Sequence, residues 1–225
     1  IELTPGKSKG INIVTWNGLT RQPKMAKAKT LTFGGFTPAR APAGDYKVVM
    51  TKGKDTYETA VKLISDPNSL WSDEDRAKLH TVTKKLFNMS EELAYLVYEI
   101  DEHLAHAEKI AASSASAKKT AQPMIDELNK IKEKLVITKG DNYVGTADPQ
   151  LREKLANLYS KVASGFTPPS KSELDNLQLL EDQFNKAKAE YSLTKSRRIG
   201  KVESLGQKSG LEPPKLKTFD EFIEQ

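Results

Sequence analysis

Three histidines and 30 acidic residues are what this chain offers for metal or acid–base chemistry. His103 and His106 stand three apart in one helical stretch, beside Glu99, Asp101, Glu102 and Glu108. A metal site in a helical bundle asks for Glu-x-x-His on each of two helices. Position 100 is Ile and position 103 is His, so neither histidine has that glutamate. The pair therefore reads as part of a solvated charged face, with no metal and no cofactor expected. Carboxylate pairs are plentiful, but glycosidase chemistry needs two carboxyls converging on one pocket. Spacing along rods gives no such convergence, and no catalytic residue is assigned. The absence of cysteine removes disulfides, thiolate zinc sites and cysteine nucleophiles together.

Binding chemistry is better represented. Lys7, Lys9, Arg21, Lys24, Lys27, Lys29 and Arg40 are loop basics. Arg21, Lys24, Lys27, Lys29 and Arg40 are interaction candidates, for phosphate, an anionic glycan or an acidic partner, weighed against ordinary loop solvation. Tyr143 and its neighbour Asn142 are candidates in a second loop. Trp16 and Trp71 have rings that stack on sugars elsewhere. Here Trp16 reads as strand core, and Trp71 as packing between the sheet and the first helix. The charge balance is 35 basic to 30 acidic, net +5. Residues 1–71 carry 11 basic and 5 acidic groups and the remainder 24 and 25, so the surplus belongs to the first third. That argues against a nucleic-acid partner.

Two hydrophobic periods position these residues. Residues 1–66 read as β. Gly10–Trp16 is rich in β-branched and aromatic residues, as in a strand buried on both faces. Tyr46, Val48 and Met50 share one face of a second strand. Tyr57, Thr59, Val61 and Leu63 alternate in a third, and a turn at Lys52–Asp55 makes the last two a hairpin. Arg21–Gly44 reads as a long loop, with a short strand entertained at Thr30–Phe33. A sandwich needs about seven strands, so this part is expected to be completed by strands upstream of Ile1.

From Ser72 onward the pattern is helical. Ser72 caps an acidic first turn. Leu79, Val82, Leu86, Met89, Leu93, Leu96, Ile100, Leu104 and Ala107 then follow at steps of three and four, a coiled-coil-like seam. Ser113–Lys119 reads as an interruption. A second helix carries Met124, Leu128, Ile131 and Leu135, with Pro123 in its first turn. After a loop at Thr138–Ala147, Asp148-Pro149 reads as a cap with proline first. Leu151, Leu155, Leu158 and Val162 follow. Ser170–Glu173 is a capping box ahead of Leu174, Leu177, Leu180, Phe184, Ala187 and Tyr191. The expected fold is α+β: a partial immunoglobulin-like β-sandwich (1–66), a long antiparallel three-rod helical bundle with a broken middle rod (67–205), and a tail (206–225). No run of ~20 apolar residues suggests a transmembrane helix.

Gly10-Ile11-Asn12 with Trp16, then Ala41–Val48, Gly53, Tyr57 and Asp66-Pro67, follow one another in a telling order. Asn142-Tyr143, Leu151–Leu155, Thr167-Pro168-Pro169 and Gly210–Pro214 continue it. This succession resembles the C-terminal region of bacterial BNR/Asp-box, sortilin-like β-propeller proteins, often labelled glycosyl hydrolase: an immunoglobulin-like module followed by helices. The Asp-box itself, Ser-x-Asp-x-Gly-x-Thr-Trp, does not occur. The resemblance implies a non-catalytic structural or interaction region of a larger extracytoplasmic protein (periplasmic, outer-membrane surface or secreted), a spacer or docking arm. Any enzymatic activity would lie in an upstream propeller. That propeller or another protein subunit is the expected partner, with a cell-surface glycan as a further one. Alternatives are an accessory region of a sialidase-like glycoside hydrolase and a peptidoglycan- or polyanion-binding module. The opening Ile1-Glu2-Leu3 fits a piece of a longer polypeptide.

Overall fold

The computed structural model describes residues 1–30, 33–140 and 145–224. It is a mixed helix and strand fold in which helix dominates. The elements are β1 (Gly44–Lys52), β2 (Asp55–Leu63), α1 (Asp73–Ser113), α2 (Ala115–Leu135), α3 (Leu151–Ser164), α4 (Lys171–Thr194), α5 (Gly200–Lys208) and α6 (Phe219–Ile223). A 3-10 turn covers Phe33–Phe36, and a π-helical segment, Lys195–Ile199, joins α4 to α5.

α1 has 41 residues and so spans roughly 60 Å. Its start is fixed by a capping box: Ser72 Oγ accepts from Asp75 N–H, and the Asp75 carboxylate accepts from Ser72 N–H. Ser114 alone separates α1 from α2 and caps α2 through Ala117 N–H at 3.1 Å. The interruption expected at Ser113–Lys119 is thus a single residue. Pro123 consequently lies well inside α2 rather than in its first turn. The bond it cannot donate would have gone to the carbonyl of Lys119, an exposed residue, which keeps the defect on the solvent side.

The rods run up, down and up. Lys132 of α2 meets Asp101 of α1, and Lys161 of α3 meets Glu173 of α4, both in antiparallel sense. α1 and α4 are parallel. Lys85–Glu181, Glu92–Lys188 and Glu99–Lys195 form a ladder with heptad steps on both helices. α2 and α3 together make the middle rod, broken between Leu135 and Leu151. Leu86, Leu93, Ile100, Leu128, Leu155, Leu180 and Phe184 are among the core residues exposed by 1% or less. The α3 cap differs from expectation. Gln150, not Asp148, precedes the helix, its N–H donating to Glu153 Oε2 at 3.1 Å, and Pro149 lies outside. At the far end the buried stripe of α4 runs through Phe184, Ala187, Tyr191 and Thr194 and resumes at Ile199, Val202 and Gly206. That five-residue step is one turn of π-helix, which keeps the stripe facing the core.

The β region is a two-stranded antiparallel sheet, with Val48 opposite Thr59 and Met50 opposite Tyr57. Gly53 in the two-residue turn has φ +63°, as a type II′ hairpin requires of its first central residue. Gly10–Trp16 is not a strand, although its composition favours one. Of the short strand entertained at Thr30–Phe33, Leu31 and Thr32 lie outside the described residues, and Phe33 opens the 3-10 turn. Among the described residues an immunoglobulin-like sandwich is therefore not present. No helix among them is long and apolar enough to cross a membrane.

Candidate interaction surface

The basic loop of the sequence is a strap across the bundle. Its neck is closed by the Leu19–Arg40 bridge, with Thr20 N–H donating to Ala39 at 2.7 Å and Ala41 N–H to Gly18 at 2.8 Å. Arg21 forks onto the buried Glu91 carboxylate of α1, with Nη2 to Oε2 at 2.9 Å, and lies 4.7 Å above the Phe87 ring. Its hydrogen bond to Glu91 raises its pKa further. Glu91 also accepts from Lys24 N–H at 3.1 Å. From below, Arg152 of α3, itself buried, donates to the carbonyls of Ala26 at 2.9 Å and Thr30 at 2.6 Å and to Glu153 at 2.7 Å. Thr37 and Ser160 share a hydroxyl contact at 2.8 Å. Burial pushes the nearby Tyr159 hydroxyl up to about 12.

Three of the five basic candidates thus serve the fold directly. Arg21 holds Glu91, Lys24 reaches the Phe222 carbonyl, and Arg40 stacks 4.0 Å over Phe166. Lys29 is held through its backbone, donating to Ile137 C=O at 3.3 Å, and its side chain is exposed, as is Lys27. Asn142 and Tyr143 lie outside the described residues. The sequence predicts only a long loop at Arg21–Gly44, because it does not show the buried carboxylate and carbonyls that hold the strap. The unexpected partners are Glu91 and Arg152, charged residues inside otherwise apolar helical stripes.

The histidine pair is not a solvated face. His103 is 3% exposed and His106 is 7%. His103 packs near Tyr191, with ring centroids 6.5 Å apart, and its Nδ1 lies 3.8 Å from Glu203. Desolvation, aided by Lys195 and His106, lowers its pKa to about 4, which keeps it neutral. Met89, Leu96, His103 and Ile110 form one heptad column, and all four are buried. That column was the available signal. Among the described residues no three His, Cys, Asp or Glu side chains are placed to hold a metal.

The hairpin presents the opposite picture. Alternation and register put Tyr46, Val48, Met50, Tyr57, Thr59 and Val61 on one face. The other face carries Asp45, Lys47, Glu58 and Lys62, beside the exposed Val49, with a Lys47–Glu58 ion pair at 2.8 Å. This is the pattern of a sheet that buries one side, yet Val48 is 41%, Met50 52% and Tyr57 52% exposed. Only Tyr46 is partly covered, by the Trp16 ring at 5.2 Å. Trp16 is held beside the strap neck by Nε1–H donation to Leu19 C=O at 2.9 Å, outside any strand, and is not strand core. Trp71 is 37% exposed and does not clamp the hairpin to α1. Ile11, at 95%, and Ile13, at 85%, add exposed apolar side chains upstream. Comparisons with protein-family models, with curated proteins and with solved structures gave no match.

Proposed function

We propose that the chain is a non-catalytic structural and interaction region of a larger extracytoplasmic bacterial protein. In this reading the hairpin is one part of an immunoglobulin-like sandwich whose remaining strands come from another segment of that protein. The helical bundle is the spacer or docking arm that the sandwich carries. The sequence's resemblance to the C-terminal region of sortilin-like β-propeller proteins supplies the parent architecture, and any hydrolytic chemistry belongs to the propeller.

The single observation supporting this is the contrast between an amphipathic hairpin with an exposed apolar face and a bundle that buries its own. A two-stranded sheet with open edges is marginal in water by itself. An apolar face of this kind gains stability when a second sheet packs on it. A free polyanion-binding loop is the weaker reading, because Arg21, Lys24 and Arg40 are engaged within the fold.

The test is substitution on each face of the hairpin. Val48→Lys and Val61→Lys should leave the melting temperature of this chain unchanged, yet prevent its association with the sheet segment of the parent polypeptide, read as protease resistance of the joined region. Lys47→Ala, on the opposite face, should leave both the melting temperature and the association unchanged. Unaltered association after Val48→Lys and Val61→Lys would sink the sandwich reading.

A further inference from the structure

The C-terminal tail occupies a second surface, separate from the hairpin. After α5 the chain reverses at Gly210, whose φ is +73°. Leu211 N–H donates to Gly206 at 2.9 Å and Gly210 N–H to Gln207 at 3.1 Å, a Schellman stop. The chain then returns along α1. Tyr95 Oη donates to Lys217 C=O at 2.8 Å, and Lys217 N–H donates to Tyr98 Oη at 3.1 Å. Phe222 stacks on Tyr98 at 5.0 Å and meets Tyr95 edge-on at 5.6 Å, while Phe219 meets Tyr95 edge-on at 5.5 Å. Lys24 of the strap lies 4.2 Å above the Phe222 ring and donates to the Phe222 carbonyl.

This seat therefore reads three things: one residue's backbone through two tyrosine hydroxyls, two rings three residues apart, and one carbonyl, that of Phe222, near the end of a short helix. α6 brings its own shape to it, through the Thr218–Glu221 capping box. Charge agrees as well. Residues 20–40 hold five basic groups and no acid, whereas Asp220, Glu221 and Glu224 give the α6 region three acids and no base. Yet the seat is shallow. No residue of α6 is fully buried, and Phe219 remains 38% exposed. The connection contains Pro213-Pro214, which favours an extended and semi-rigid linker.

A tail arriving from a second molecule would offer every one of these contacts unchanged. We propose that the Tyr95–Tyr98 seat is a homotypic docking site, which takes α6 of a second copy by reciprocal tail exchange. Such exchange is a low-cost route to a dimer, because the contacts made are those already present within one chain. The tethered tail competes at millimolar effective concentration, so exchange rises with protein concentration.

The experiment is light scattering on the full chain from about 10 μM to about 1 mM, a range that rises to the effective concentration of the tether. A second variant lacks Lys215 and Leu216, which shortens the linker by roughly 7 Å and hinders return to its own seat. The wild-type chain should shift towards dimer at the upper end, and the shortened chain should do so at a concentration at least about tenfold lower. Phe219→Ala with Phe222→Ala should return both to monomer, while Val48→Lys should change neither. A wild-type or shortened chain that stays monomeric throughout, or a dimer that survives the double phenylalanine substitution, overturns the proposal.

Discussion

The bundle and the hairpin follow the same rule of hydrophobic patterning and end in opposite states. In the bundle, every third or fourth residue is apolar, and three rods supply one another with a covering surface. Leu86 and Ile100 are wholly removed from solvent. In the hairpin, one face is mostly apolar by alternation, but two strands cannot cover that face. Patterning specifies which side seeks burial. The number of elements decides whether burial is achieved within the chain. That difference is the physical basis for assigning stability to one region and association to the other.

The largest expected effect separates the two by truncation. Leu93→Ala, at a site 1% exposed, should cost about 2–5 kcal/mol in urea unfolding. Val48→Ala in the hairpin should cost within about 0.5 kcal/mol, as an exposed substitution does. Equal losses at the two positions would erase the distinction. Comparable in size is the strap anchor. Arg152→Met leaves the buried Glu153 without its arginine partner and the Ala26 and Thr30 carbonyls without their donor, at about 3–5 kcal/mol. Adding Glu153→Gln should recover part of that loss.

Acid sharpens the contrast, because the bundle holds a buried histidine. The folded pKa of His103, about 4, lies below the unfolded reference of 6.5. Its contribution to stability is therefore complete above pH 6.5 and is lost as the pH falls through that value towards 4. The full loss is at most about 3 kcal/mol. His103→Leu should flatten unfolding free energy between pH 7 and pH 4.5 relative to wild type, and an unchanged slope would contradict the assignment. The smallest effect belongs to the α1–α4 ladder. Glu92→Gln should cost no more than about 0.5–1 kcal/mol, less at high salt, because its pair with Lys188 is about half exposed.

Much of the helical architecture was legible because its signals are local. Ser72 and Ser170 carry capping boxes that can be read within four residues, and the seam from Val82 to Ala107 is a single uninterrupted period. The π-helical turn lies beyond the stripe that the sequence predicts to Tyr191, although the five-residue gap from Thr194 to Ile199 matches it. His103 and His106 lie off the single seam that predicts burial, on a helix that is packed on more than one side. His103 shares a column with Leu96 and Ile110, and His106 shares one with Glu99, which pairs with Lys195 at the start of the π-helical segment. The strand expected at Gly10–Trp16 failed for a different reason. Strand propensity is realised only beside a pairing edge, and none of the described strands lies against Ile11 or Ile13. For the interaction residues, the types were visible but their engagement was not. Arg21 and Lys24 find partners 70 and 198 residues away in the chain, at distances that no local spacing can reveal.

Native-state amide hydrogen exchange tests the central claim most directly, since it reads the local stability of both regions in one sample. The account predicts that α1 amides around Leu86, Leu93 and Ile100 exchange only with global unfolding, while those of β1 and β2 exchange by local opening at far lower cost. Hairpin amides protected to the same level as the α1 core would contradict it, because the hairpin would then be stable without a covering sheet.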